Sequence, residues 1–304
     1  MPELFTATTA LPLGVTYRQL PRAPETWLLE PLLPVGGALL LYGSPKIGKS
    51  FAALQMACSL LDGSSWMGFQ VRTTGPVVYL QLDTPRSLWA TRLDAFAAAG
   101  LPVDRLHLGD RETLDCFPFD IMQQDHMMKL RDALLVITPT VVFIDTTREV
   151  HNLDEDKSTS MKLVIARLQA VVHPAALVLI THDRKPAHDS SASLINDSRG
   201  SNYLPGRMDG ILRLTRKHLY YIGRAVEESS LTCKRDTQGF WHAVCDETLP
   251  HLHTVLTDPT LTTLAAQARA LAPLIERSEE AARSLIKRYL LAHPEPVGQT
   301  GQTE

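Results

Sequence analysis

Gly43-Ser44-Pro45-Lys46-Ile47-Gly48-Lys49-Ser50 has the spacing G-x-x-x-x-G-K-[ST], the pattern that cradles nucleotide phosphates. Its glycines let the backbone curl around an anion without a Cβ clash. Lys49 is placed to reach the β- and γ-phosphates, and the Ser50 hydroxyl to coordinate Mg²⁺. Phe51 completes the expected nucleotide contacts, Gly43 to Phe51. Ala38 to Tyr42 before the loop is an apolar run suited to a buried strand, and Phe51 to Cys58 after it reads as a helix. Strand, glycine loop and helix aim backbone N–H groups and the positive helix end at the phosphates. An accidental glycine-rich turn would not need either flank.

Hydrolysis needs more than a cradle. Val141-Val142-Phe143-Ile144-Asp145 is an apolar strand ending in a carboxylate, which makes Asp145 the second expected metal ligand beside Ser50. The bland alternative is a strand followed by a capping Asp. Asp83 closes the strand-like run Val77 to Leu82 and is the candidate to orient or deprotonate the attacking water. Asp83-Thr84-Pro85 could equally start the next helix. Thr181-His182 follows the run Ala176 to Ile180, so His182 is a candidate partner of the γ-phosphate. Arg199 and Arg224 offer planar guanidinium forks for phosphate, one of which could serve a neighbouring subunit.

These residues need a scaffold. From Ala38 to about Thr181, apolar runs alternate with helical patterns: strands at 76–82, 105–108, 141–144 and 176–180, helices at 86–99, 123–136 and 158–172. That alternation predicts an α/β fold with a mainly parallel sheet flanked by helices. Short alternating runs at 210–215, 219–223, 230–233 and 240–244 predict an antiparallel extension, with Thr237-Gln238-Gly239 as a turn. Residues 261–275 and 279–291 read as two amphipathic helices, with Ser278 as N-cap. The expected organisation is a lead-in at 1–37, an ATPase domain at 38–250, a small helical appendage at 251–292 and a disordered tail at 293–304.

Composition narrows the classes. The 304 residues are 44% hydrophobic and 21% charged, with a formal net charge of −3. The whole molecule is therefore not a basic nucleic-acid binder, and any DNA contact must be a local patch or a pore shared by subunits. Cys58, Cys116, Cys233 and Cys245 have no C-x-x-C spacing, so zinc and disulfides are not expected and reduced, cytoplasmic thiols are. Cys58 falls on the apolar helix after the loop, where packing is its expected job. No apolar run approaches the roughly 20 residues of a membrane span, and no secretory signal is visible at the N-terminus.

Four segments together resemble the RecA-type ATPases, and within them the hexameric replicative DNA helicases of plasmids and phages. They are the phosphate loop with its extra lysine, Lys46; Phe143 to His151 with Asp154-Glu155-Asp156; Leu179 to Lys185; and Asp197-Ser198-Arg199-Gly200-Ser201 with Gly206 to Asp209. The likeness spans about residues 25–245. It implies a RecA-like P-loop NTPase core, ATP and Mg²⁺, a homo-oligomeric, six-membered ring, single-stranded DNA and replisome proteins as partners, and no membrane. By the same resemblance Arg199 is an arginine finger acting on the adjacent subunit's nucleotide, and Arg224 a second basic group acting in trans. The loop 183–206 becomes the channel segment, with Arg184, Lys185, Tyr203 and Arg207 as DNA contacts; a plain surface loop is its bland reading. One departure stands out: the family's catalytic glutamate aligns with Asp83, one methylene shorter. That leaves two functions open. One is a translocase; the other is an ATP-switched loader, assembly or recombination-mediator protein with slow turnover.

Overall fold

Short apolar runs set the frame, because a segment apolar on both faces is buried only inside a covered sheet. The computed structural model describes residues 24–115, 118–183, 203–244, 248–275 and 278–292. Its strands are Trp27–Glu30 (β1), Leu33–Pro34 (β2), Ala38–Gly43 (β3), Gln70–Val71 (β4), Val77–Gln81 (β5), His107–Asp110 (β6), Val141–Asp145 (β7), Ala176–His182 (β8), Gly210–Leu214 (β9), His218–Gly223 (β10), Val226–Arg235 (β11) and Trp241–Ala243 (β12). Its helices are Lys49–Asp62 (α1), Arg86–Ala98 (α2), Gln124–Ile137 (α3), Ser158–Val172 (α4), Tyr203–Gly206 (α5), Thr248–Thr257 (α6), Leu264–Leu274 (α7) and Glu279–Ala292 (α8).

Nine strands form the main sheet in the order β12-β11-β10-β9-β3-β8-β7-β5-β6. From β9 to β6 every pairing is parallel, and β10 adds to β9 in antiparallel register. The fold is thus α/β, mainly parallel with an antiparallel extension. Every residue of β3, β5 and β7 is buried. On one face, Leu40, Tyr42, Val142, Ile144, Leu177 and Leu179 share a core with Val164, Ile165 and Leu168 of α4 and Leu130 and Leu134 of α3. Each such side chain contributes on the order of 1.5–3 kcal/mol by leaving water. α1 packs against β3, β5, β7 and β8. Cys58 on α1 is buried, and burial pushes its thiol up to about 12, so it packs rather than reacts.

Parallel register brings one edge of the sheet into use. Gly43 lies opposite His182 and Leu214 on its two neighbours, and Gln81 opposite Asp145. The carboxyl ends of five strands therefore meet, at the edge where open α/β sheets hold ligands.

Three details differ from the sequence reading. The 1–37 lead-in holds strands that the sequence reading did not place: β1 pairs with β2 and β4 in a separate three-stranded sheet, with Leu28, Leu29, Leu32 and Leu33 buried. The strand expected at 105–108 is a 3-10 turn at Val103–Arg105 followed by β6, in register with β5 from His107 onward. The third is α6, which precedes the two expected C-terminal helices. Pro250 hid it, but lies in its first turn, where no backbone N–H is needed.

The chain divides into two compact units, Met1–Ser230 with Arg235–Trp241, and Leu231–Lys234 with His242–Glu304. The second has its own small core of Leu252, Val255, Ala268, Leu271, Ala272, Ala282 and Ile286. Ser278 caps α8 as expected, its Oγ accepting the Ala281 N–H at 3.3 Å. No described helix is long and apolar enough to cross a membrane.

Candidate active site

The phosphate loop leaves β3 at Gly43 and enters α1 at Lys49. A Cβ on Gly43 would sit 2.4 Å from the Leu214 carbonyl oxygen, so only glycine lets β3 and β9 approach there. Gly48 has φ +105°, a left-handed conformation that glycine adopts freely. Lys49 is 5% exposed. Its ammonium donates to the carbonyls of Gly43 at 2.9 Å and Ser44 at 3.1 Å, and lies 3.0 Å from Nδ1 of His182. An ammonium has only protons to offer, so His182 accepts at Nδ1 and carries its own proton at Nε2. Burial lowers the Lys49 pKa, while the charges of Asp145, Asp183 and Asp83 oppose that shift.

Asp145 is wholly buried. Tyr79 donates its hydroxyl to Oδ2 at 2.9 Å, and Gln81 donates Nε2 to the same oxygen at 3.2 Å. Oδ1 is buried without a hydrogen-bond partner among the described residues, a costly arrangement unless it serves a ligand. Burial above all, then the charge of Asp83, pushes the carboxyl up to about 6; the hydroxyls of Ser50 and Tyr79 and the charge of Lys49 pull the other way. A buried carboxylate beside the Ser50 hydroxyl fits Mg²⁺, which takes a few hard oxygen ligands and completes its shell with water and phosphate. No group of three or more His, Cys, Asp or Glu capable of holding a metal occurs among the described residues.

Asp83 stands exposed just past β5 and accepts the Thr84 hydroxyl at 2.8 Å. It is not the cap of α2: Pro85 occupies that position, with no side-chain capping bond. Its charge reaches both Asp145 and Lys49. Arg111 holds the neighbouring backbone, donating Nε to the Leu82 carbonyl and pairing through Nη2 with Glu149 at 3.0 Å.

Several contacts around the loop carry no local sequence signal. Ser44 donates its hydroxyl to Asp183 Oδ2 at 2.9 Å, and Arg213 approaches the other oxygen at 3.9 Å. The turn after β9 brings Thr215 and Arg216 to a cleft of about 530 Å³ shared with Ser44, Pro45, Lys46 and Ile47. Trp241 donates its indole N–H to the Gly48 carbonyl at 3.2 Å and exchanges two backbone hydrogen bonds with the Gln55 amide, at 2.7 and 3.1 Å. Phe51 meets the guanidinium of Arg235 at 4.6 Å and that of Arg92 at 5.6 Å, and its ring packs against Phe96. A hairpin tip late in the chain thereby braces the first turns of α1.

The remaining expected site residues are scattered. Arg224 ion-pairs with Asp209 at 2.9 Å, and Asp209 accepts the backbone N–H of Ala38, the first residue of β3. The structure thus puts Arg224 at the end of β3 away from its own chain's phosphate loop. Arg207 is exposed and follows α5 directly; Tyr203 is the first residue of that helix. Arg184, Lys185 and Arg199 lie outside the described residues.

Comparison with protein families matches residues 11–188 to the family AAA_25, described as "AAA domain". Among solved structures, the chain is similar to the crystal structure of a KaiC-like protein from the hyperthermophilic archaeon Pyrococcus horikoshii OT3. That likeness covers 71% of this chain and 93% of the other, at 15% identity and a TM-score of 0.48.

Proposed function

We propose, from the premise that this chain belongs to the AAA domain family and is a P-loop ATPase, that it hydrolyses ATP to move along single-stranded DNA as a ring of identical subunits. The observation that carries hydrolysis is a convergence: Lys49, Ser50, Asp145 and Asp83 meet at one sheet edge, and Asp145 keeps one buried oxygen without a partner.

The roles follow from chemistry. Lys49 offers positive charge to the β- and γ-phosphates. Ser50 and Asp145 would hold Mg²⁺, which would offset phosphate charge as it develops. Asp83 orients the attacking water. His182, which touches Lys49, senses whether the γ-phosphate is present, and the chain following it passes that change onward.

Movement along DNA is supported by the resemblance carried by residues 143–151 with 154–156, 179–185, and 197–201 with 206–209. In that reading Arg199 completes the site of a neighbouring subunit. Arg184, Lys185, Tyr203 and Arg207 follow the strand by phosphate contact and stacking, without reading bases. One observation favours a second reading, an ATP-switched loader or assembly protein with slow hydrolysis. The exposed carboxylate at position 83 is an aspartate, one methylene shorter than the glutamate that the resemblance implies.

The test is ATP turnover with and without single-stranded DNA, with Lys49→Ala as the blank. Strong stimulation by DNA is the expected result. Slow turnover indifferent to DNA supports the switch instead. Turnover unchanged in Lys49→Ala overturns both.

A further inference from the structure

We propose that Gln81 is a positioning residue that ties Asp83 and Asp145 into one hydrogen-bonded unit. The inference rests on the water-orienting role given to Asp83 above. Gln81 ends β5 and is wholly buried. Its Nε2 donates to Asp145 Oδ2 at 3.2 Å. Its Oε1 accepts the backbone N–H of Asp83 at 3.0 Å and of Thr84 at 3.2 Å. One side chain therefore grips the metal-site carboxylate with one end and the segment carrying Asp83 with the other.

The chemistry selects an amide. The carboxylate side requires a donor and the two peptide N–H groups require an acceptor, and glutamine supplies both. The reverse amide orientation would aim oxygen at oxygen and N–H at N–H, so the surroundings fix the assignment. Glutamate would face Asp145 with a second negative charge. Asparagine is one methylene too short to span both ends. Methionine matches the length but offers neither hydrogen bond.

Among the described residues Asp83 has no other anchor of this kind. Its side chain is exposed and meets the Thr84 hydroxyl, and Arg111 restrains only the preceding carbonyl. The position of its carboxylate therefore depends on the backbone at 83–84, which Gln81 holds from the buried side. A misplacement of about 1 Å costs on the order of a hundredfold in rate when a reacting group is involved.

The experiment is a double-mutant cycle on the full chain: wild type, Gln81→Met, Asp83→Asn and the double variant. It reads kcat for ATP and, separately, affinity for a fluorescent ATP analogue. Gln81→Met is expected to lower kcat about 10- to 100-fold while nucleotide affinity stays within about twofold. In the Asp83→Asn background it should lower kcat no further, because the group it positions is gone. Multiplying effects overturn the inference, as does lost nucleotide affinity with kcat unchanged. Full turnover in Asp83→Asn overturns the water-orienting reading and this inference with it. An inactive Asp83→Asn beside a fully active Gln81→Met overturns this inference alone. If the methionine variant does not fold, Gln81→Asn enters the same cycle, with the same result expected and the same results against it.

Discussion

Trp241 donates its indole N–H to the carbonyl oxygen of Gly48 across 193 residues of sequence, at 3.2 Å. Gly48 is the residue on which the phosphate loop turns into α1, and its carbonyl also accepts the Ala52 N–H at 3.1 Å. Trp241→Phe keeps an aromatic ring, though a smaller one, and removes the donor. The expected loss is about 1 kcal/mol, seen as a melting temperature lower by about 2–4 °C. KM for ATP should rise, because the loop bearing Lys49 loses a brace. Equal KM values for the two proteins would show the contact to be packing alone.

Gly43→Ala tests the crowding between β3 and β9. The added methyl has the Leu214 carbonyl oxygen at 2.4 Å, and a backbone atom cannot step aside as a side chain can. Overpacking of this kind costs about 1–3 kcal/mol. A urea midpoint equal to that of wild type would mean that the strands separate without penalty.

Asp145 gives a pH signature. Folding raises its pKa from 3.8 to about 6, so the folded state binds this proton more tightly than the unfolded chain does. Its contribution to stability is fully present below 3.8 and is lost as pH climbs through about 6. The gap corresponds to about 3 kcal/mol. Asp145→Asn cannot ionise. Without Mg²⁺ it should therefore melt above wild type at pH 8 and alongside it at pH 4, by scanning calorimetry. Adding Mg²⁺ and ATP should reverse the order at pH 8, because the variant has lost a metal ligand.

Asp83→Glu extends the water-orienting carboxylate by one methylene. If reach limits the rate, kcat rises several-fold while affinity for ATP is unchanged. A single-turnover measurement isolates the chemical step. A fall in rate would mean that the surroundings are built to the shorter side chain.

Local chemistry explains what the sequence made legible. Glycines 43 and 48, Lys49 and Ser50 occupy fixed offsets in a contiguous motif, and Val141 to Asp145 announces its carboxylate by the apolar run before it. Alternating strands and helices likewise specify their own type, which is why β3, β5, β7, β8 and the helices between them were foreseeable. Gln81, Arg111, Arg213, Arg235 and Trp241 were not. Each reaches the site through strand register or hairpin folding, and a glutamine inside a strand looks like any other. Ser44 and Asp183 illustrate the limit: both lie within recognised segments, yet only the parallel pairing of β3 with β8 makes them neighbours. β1 and β2 are too short to leave a periodic trace, and Pro250 conceals the start of α6.

The long reach of these contacts has a temporal consequence. Ser44 meets Asp183 across 139 residues, Lys49 meets His182 across 133, and Gly48 meets Trp241 across 193. At about 5–20 residues per second, Trp241 leaves the ribosome's catalytic centre about 10–40 s after Gly48. Loop-closure entropy must be met before such distant partners repay it. The motif is thus made well before the partners that brace it, and the braced loop is complete only once they have followed.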